Sequence, residues 1–237
     1  MLLFWYELKK TIGKLWLFVL GCFGLNLLGI GLLWRFDGDS GSSGSLFGAY
    51  LPSLTLECAI IALLLTHFII GYEYANHTEN TMYSTAIGRK CLHYKFAASV
   101  CAVFVYSIVL FGASLTAYFI IGEINPDWLR FFKTLVFSAG VILLFVLFAF
   151  AVGVAIRNPW AAMITSISVN AAWVGVVLNF PYEAPLRLPP MGLLYSQKDW
   201  FTDRFGHNFE LRGLILSGIV MTLLYFSSYK IFRRRDI

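Results

Sequence analysis

Long apolar runs alternate with short polar breaks along this chain, and six of the runs can each cross a bilayer as a helix. They cover roughly 15–34, 51–72, 96–121, 134–156, 160–180 and 211–232, against the ~20 mostly apolar residues that a crossing needs. A chain in lipid has to satisfy every backbone group internally. The pattern therefore predicts an all-α polytopic membrane protein with six transmembrane helices in a single domain over 1–237. The third and fourth runs have length to spare and can tilt.

Ahead of the first run, Leu3, Phe4, Leu8, Ile12 and Leu15 recur near helical spacing, with Glu7, Lys9, Lys10 and Lys14 largely between them. Residues 1–14 thus read as an interfacial helix, the plainer alternative being an extension of the first span. The start does not read as a cleavable signal, because aromatics and Glu7 precede the basic residues and no small-residue cleavage site follows. The break "RFDGDSGSSGS" is Gly/Ser-rich and reads as a flexible loop. The segment 181–210 differs: Pro181, Pro185, Pro189 and Pro190 break it, and scattered aromatics suit short helices dipping into the interface. Asn208, just before the last run, is placed to act as an N-cap.

Composition narrows the class further. The chain is 59% hydrophobic and 13% charged, where soluble domains carry about 25% charged residues. Placing the N-terminus in the cytoplasm puts eleven Lys and Arg residues inside and seven outside, while eight acidic residues from Asp37 to Glu210 fall outside. With six spans both termini are then cytoplasmic, and "KIFRRRDI" forms a basic stop. The positive charge suits anionic headgroups at the inner leaflet rather than nucleic acid. Cys22, Cys58, Cys91 and Cys101 lack CxxC spacing, and three of them lie in predicted spans, so they read as apolar fillers.

Motifs for chemistry are sparse. The chain has no GxxxxGK[ST] phosphate loop, no HExxH and no GxSxG elbow. Glu73 and His77 stand four apart with Glu79 and His93 nearby, a loose pattern better read as polar residues facing cytosol than as a metal site. Polar residues within spans carry more information because they are costly there. Glu57 and His67 sit toward opposite ends of the second span. In the fifth, Ser166, Asn170 and Trp173 share one face at i, i+4 and i+7, beside Thr165 and Ser168. That face suits hydrogen bonding between helices of one subunit, or a wall of a substrate path or subunit interface.

The break between the second and third runs, "GYEYANHTENTMYSTAIGRKCLHYK", is longer than a simple loop requires. Met82, Tyr83, Ala86 and Ile87 follow i, i+4 spacing, and Gly88 is placed to end a short helix before Arg89 and Lys90. Residues 73–95 therefore read as a structured cytoplasmic protrusion.

Glu73, Thr78, Ser84, Arg89 and Lys95 fall in an order that resembles the type-2 ABC exporter permeases: an acid after the second span, a small-residue turn, a basic residue, and a Lys opening the third span. The chain has "TAIG" where that family often carries a Pro in the turn. The six spans, interfacial helix, long segment before the last span and terminal "FRRRD" are similar as well. The resemblance implies that 73–95 is a coupling helix docking on a separate ATP-binding subunit, with Glu73, Thr78, Met82, Tyr83, Ser84 and Arg89 at the contact. It implies no catalysis and no cofactor in this chain, ATP and Mg being held by the partner. A second permease, identical or a sister, would complete a pathway in a bacterial cell membrane. Glu57, Ser166, Asn170 and Trp173 are candidates for that path or interface, and a hydrophobic or amphipathic substrate such as an antimicrobial peptide is expected. The alternatives from other classes are a non-transporting membrane sensor or scaffold, and an intramembrane hydrolase using His67 or Glu57.

Overall fold

A computed structural model of the chain describes residues 4–6, 8, 9, 24, 55, 57–71, 88–121, 128–156, 158–179 and 207–235. Among them every regular element is α-helical. Four long helices follow a shorter one: α1 (Glu57–Gly71), α2 (Gly88–Ile121), α3 (Trp128–Ala155), α4 (Pro159–Asn179) and α5 (His207–Arg235). Two stretches, Leu92–Val109 in α2 and Ser138–Ala155 in α3, are long and apolar enough to cross a membrane. The first run (15–34) and the segment 181–206 lie outside the described residues, apart from Gly24.

α3 is the packing centre. Helices α2, α4 and α5 each lie against it, and Val141, Leu144, Phe145, Val146, Ala149 and Phe150 are almost wholly buried. One core cluster joins all of these but Phe150 to Cys58, Ala62 and Leu65 of α1 and to Ala102, Val103 and Tyr106 of α2, and a second joins Phe150 to Ile70, Leu92 and Val154. Small side chains let the helix axes approach: Ala59, Ala62, Ala98, Ser99, Ala102 and Ala149 are all fully buried. On α2 the buried positions Leu92, Lys95, Ser99, Ala102 and Tyr106 recur at spacings of three and four, one continuous helix face.

The outward faces are as apolar as the inward ones. Phe104, Val105 and Ile108 of α2, Trp160, Ile164 and Ile167 of α4, and Ile215, Ile219, Leu223 and Phe226 of α5 are exposed. Helix α1 is buried on nearly every side. Its opening is a stripe at helical spacing, with Ile60 and Phe68 exposed and Glu57 and Leu64 half-buried.

The α3–α4 connection shows how a few residues set a corner. Asn158 accepts at Oδ1 from the amides of Trp160 (3.0 Å) and Ala161 (3.2 Å), so it caps α4, with Pro159 at the first helical position where no amide hydrogen is needed. Asn158→Ala leaves both amides to water and should lower stability by about 1 kcal/mol. Thermal unfolding in detergent would measure it, and an unchanged midpoint would contradict the cap.

Two expected helix ends are corrected. Gly88 opens α2 rather than closing a preceding helix, so residues 88–95, expected in the cytoplasmic segment, are the first turns of a 34-residue helix. Asn208 does not cap the last helix, because α5 already begins at His207. Arg89, Lys90, Cys91 and Leu92 include no helix breaker, so α2 runs without interruption from Gly88.

At the N-terminus, residues 4–6 and 8–9 are helical. Phe4 and Leu8 are half-buried one turn apart, with Trp5, Tyr6 and Lys9 exposed. Leu8 packs against the core cluster. The face expected to be apolar is therefore the one that turns inward.

Candidate functional site

Several buried polar groups gather around the second half of the described part of α1. His67 of α1 places Nε2 2.8 Å from Oγ of Ser166 on α4. Both residues are buried. The other ring nitrogen, Nδ1, is buried with no hydrogen-bond partner among the described residues. It faces Gly153 of α3, where an added Cβ would stand 3.4 Å from it. The ring is thus wedged between three helices and bonded on one side only.

One turn on, Gly71 meets α4 directly. A Cβ at this position would lie 2.3 Å from Cβ of Pro159 and 3.3 Å from its Cα. Only a residue without a side chain permits this approach.

Lys95 on α2 is the third element of the cluster. It is 1% exposed, and its Nζ donates to the carbonyl of Ile69 at 3.0 Å. That carbonyl belongs to α1, so the ammonium ties α2 to α1. The Lys read as opening the third span lies in the early turns of α2 and is buried against α1.

Beside it, aromatic side chains brace α2 against α3 and α5. Phe96 packs edge-on to Phe150 at 5.3 Å and tilts over Tyr225 at 5.0 Å. His93 stacks on Tyr229 at 5.3 Å, and its Nδ1 is hydrogen-bonded to the Tyr225 hydroxyl. The polar reading of His93 as a group facing cytosol missed this, since its partners lie more than a hundred residues away in sequence.

The sequence-predicted residues separate into groups. Ser166 and Asn170 are buried on one face of α4 together with Ala162. Ser166 makes the interhelical bond expected of it, whereas Asn170 donates from Nδ2 to the Ser166 carbonyl of its own helix at 2.8 Å. Glu57 is not with them; it is half-buried on the open stripe of α1. Trp173 belongs to α4 and Arg89 to the first turn of α2 by backbone, their side chains lying outside the described ones. Glu73, Thr78, Met82, Tyr83 and Ser84 lie outside the described residues altogether. So do His77 and Glu79, and no group of three metal-ligating side chains occurs among the described residues. Of the cysteines, Cys58 is a buried filler as expected, but Cys101 faces outward.

At the far end of α1, Thr55 donates from Oγ1 to Oγ of Ser138 on α3 at 3.1 Å. Polar side chains thus tie both ends of this stretch to neighbouring helices. The chain matches no protein-family model and no curated protein.

Proposed function

We propose that this protein is a membrane-embedded permease subunit of an ABC transporter, driven by a separate ATP-binding subunit. The observation that carries the membrane part is the exposed surface. Apolar side chains cover the outward faces of α2, α4 and α5, while the buried polar groups described above bond inward or to their own helices. Contiguous apolar surface on several neighbouring helices is costly in water and suited to lipid.

On this reading the chain has six spans with both termini in the cytoplasm, and α1 to α5 supply the last five. The segment between Gly71 and Gly88 is the part offered to the ATPase. Two helices tied together at its base support that role, because a force applied between them is delivered to packed helices. Glu57, Ile60, Leu64 and Phe68 form the wall that α1 turns to the pathway or to a second permease, with α4 as the neighbouring wall. Their mostly apolar character favours a hydrophobic or amphipathic substrate.

Topology is checked by thiol labelling in cells. In a cysteine-free background, a cysteine at Ser43 is expected to react from outside, and one at Ser84 only after permeabilisation. Co-purification with the ATPase subunits of the host cell checks the assignment itself. Arg89→Glu together with Met82→Ala and Tyr83→Ala should abolish copurified ATPase while leaving the membrane protein folded. Undiminished recovery would remove the coupling role from this segment, and absence of any ATPase from the wild-type preparation would favour a sensor or scaffold.

A further inference from the structure

We propose that the seam between the start of α2 and the end of α5 binds an anionic phospholipid, with His93 and Lys230 as polar contacts to its headgroup. The site rests on the membrane reading above and not on the transport assignment.

Ring contacts fix how the two helices meet. His93 stacks on Tyr229 at 5.3 Å and lies 6.0 Å from Tyr225, while Phe96, three residues on, meets Tyr225 at 5.0 Å. The two helices therefore run antiparallel, so the turn before His93 stands level with the turn after Tyr229. By backbone those turns hold Arg89 and Lys90 on α2 and Arg233, Arg234 and Arg235 on α5. No acidic residue occurs in 88–121 or 211–235, and Asp236 after Arg235 leaves the run basic. On α5 the exposed residues Ile219, Leu223, Phe226 and Lys230 recur at spacings of four, three and four. They form one helix face, an apolar stripe that ends in a cation. A phospholipid has the same order of parts, acyl chain and then phosphate, whereas free phosphate has no use for the stripe.

The cation also lies at the right depth. The apolar crossing stretch of α2 starts at Leu92, and Leu92 clusters with Ile70 of α1, with Tyr229 and Ile231 of α5 packed against them. Gly71, next to Ile70, meets Pro159, so Trp160 shares this level, and it is 64% exposed. Exposed Trp with Tyr nearby marks the membrane–water interface, where basic side chains meet lipid phosphates. The chemistry of the described groups fits as well. Lys230 is exposed. His93 is exposed too, and the Tyr225 hydroxyl holds its Nδ1, leaving Nε2 without a partner among the described residues. With the tyrosine donating to Nδ1, Nε2 carries the ring hydrogen and is a donor, and the stack on Tyr229 fixes the ring plane. A cation and an oriented N–H suit the two unesterified oxygens of a phosphodiester, which only accept.

The test uses the full-length protein in mixed micelles of phosphatidylglycerol and phosphatidylcholine, with retained lipid counted by native mass spectrometry. Wild type is expected to retain phosphatidylglycerol in preference, and millimolar inorganic phosphate should not displace it. Lys230→Gln should lower the preference about five-fold, the effect of one basic residue at a membrane surface. His93→Phe keeps a ring on Tyr229 but removes both nitrogens, and should lower it about three-fold through the lost hydrogen bond. Arg130→Gln removes the same charge from the first turn of α3, at the other end of the bundle, and should leave the preference unchanged. Equal retention of the two lipids by wild type overturns the site, and so does displacement by phosphate. Equal losses in Lys230→Gln and Arg130→Gln overturn it too, because general charge attraction then accounts for the lipid. Should His93→Phe fail to accumulate, the comparison of Lys230→Gln with Arg130→Gln still decides. If no ATPase binds even the wild type, the transporter reading falls while the lipid preference is decided separately.

Discussion

Replacing Gly71 with valine is expected to unseat α1 from α4 and sharply lower the yield of folded protein, with alanine intermediate. An added Cβ would stand 2.3 Å from Pro159 Cβ, 3.2 Å from its Cγ and 3.3 Å from its Cα. None of these atoms belongs to a flexible side-chain end. The proline ring is rigid, and its backbone is held in place by the Asn158 cap at the start of α4. The strain is therefore taken up by moving a whole helix, and overpacking of this kind costs about 1–3 kcal/mol or more. Gly153→Ala is the internal control. Its nearest neighbour would be the end of the Ile70 side chain at 3.1 Å, which can rotate aside, so a smaller loss is expected. Thermal unfolding in detergent should rank wild type above Gly153→Ala above Gly71→Ala above Gly71→Val. Equal midpoints for the two alanine variants would contradict the close approach.

The second large effect is expected at the buried pair on α1 and α4. Ser166→Ala removes the hydroxyl with little change of volume, leaving His67 with neither nitrogen bonded among the described residues. A buried polar group stripped of its partner costs about 1–3 kcal/mol. His67→Phe alone should cost less, since a hydroxyl on a helix can turn to the carbonyl four residues back. The double variant should be more stable than Ser166→Ala, because both partners are then apolar. A double-mutant cycle should give a coupling of roughly 0.6 kcal/mol, up to ~1.7, the range seen for hydrogen bonds between helices in membranes. Additive losses would mean that the two groups do not act on each other.

The helices themselves are legible in the sequence because a long apolar run has few other ways to satisfy its backbone. Four of the expected runs fall on α2 to α5 within a few residues at most of their ends. Burial is not legible in the same way. On α2, Phe104 and Ile108 face outward while Val103 and Tyr106 face the core, and side chains of equal polarity on both faces leave no asymmetry to read. The Ser166–Asn170 face was visible because polar residues at helical spacing stand out against apolar neighbours. Its partner His67 lies 99 residues away from Ser166, a distance that spacing cannot bridge. The partner of Lys95 was not legible for a related reason: its acceptor, the Ile69 carbonyl, lies 26 residues away on another helix. The extension of α2 back to Gly88 was missed because glycine after an amphipathic stretch signals a stop only when the chain beyond it turns away.

Several hydroxyls in these helices donate to the backbone four residues earlier: Thr66 to Ala62, Ser99 to Lys95, Thr222 to Gly218 and Ser228 to Leu224. Such bonds travel with the helix that makes them. Helix α5, whose Thr222 and Ser228 are satisfied in this way, can tilt or slip past α3 along that stretch without breaking these bonds. By contrast, His67 and the Ile69 carbonyl of α1 are committed to other helices, and so is Thr55 just before it. A change of shape in this bundle is therefore cheapest when α1 stays with its bonded neighbours and α5, tied to α2 through Tyr225 and His93, moves together with α2.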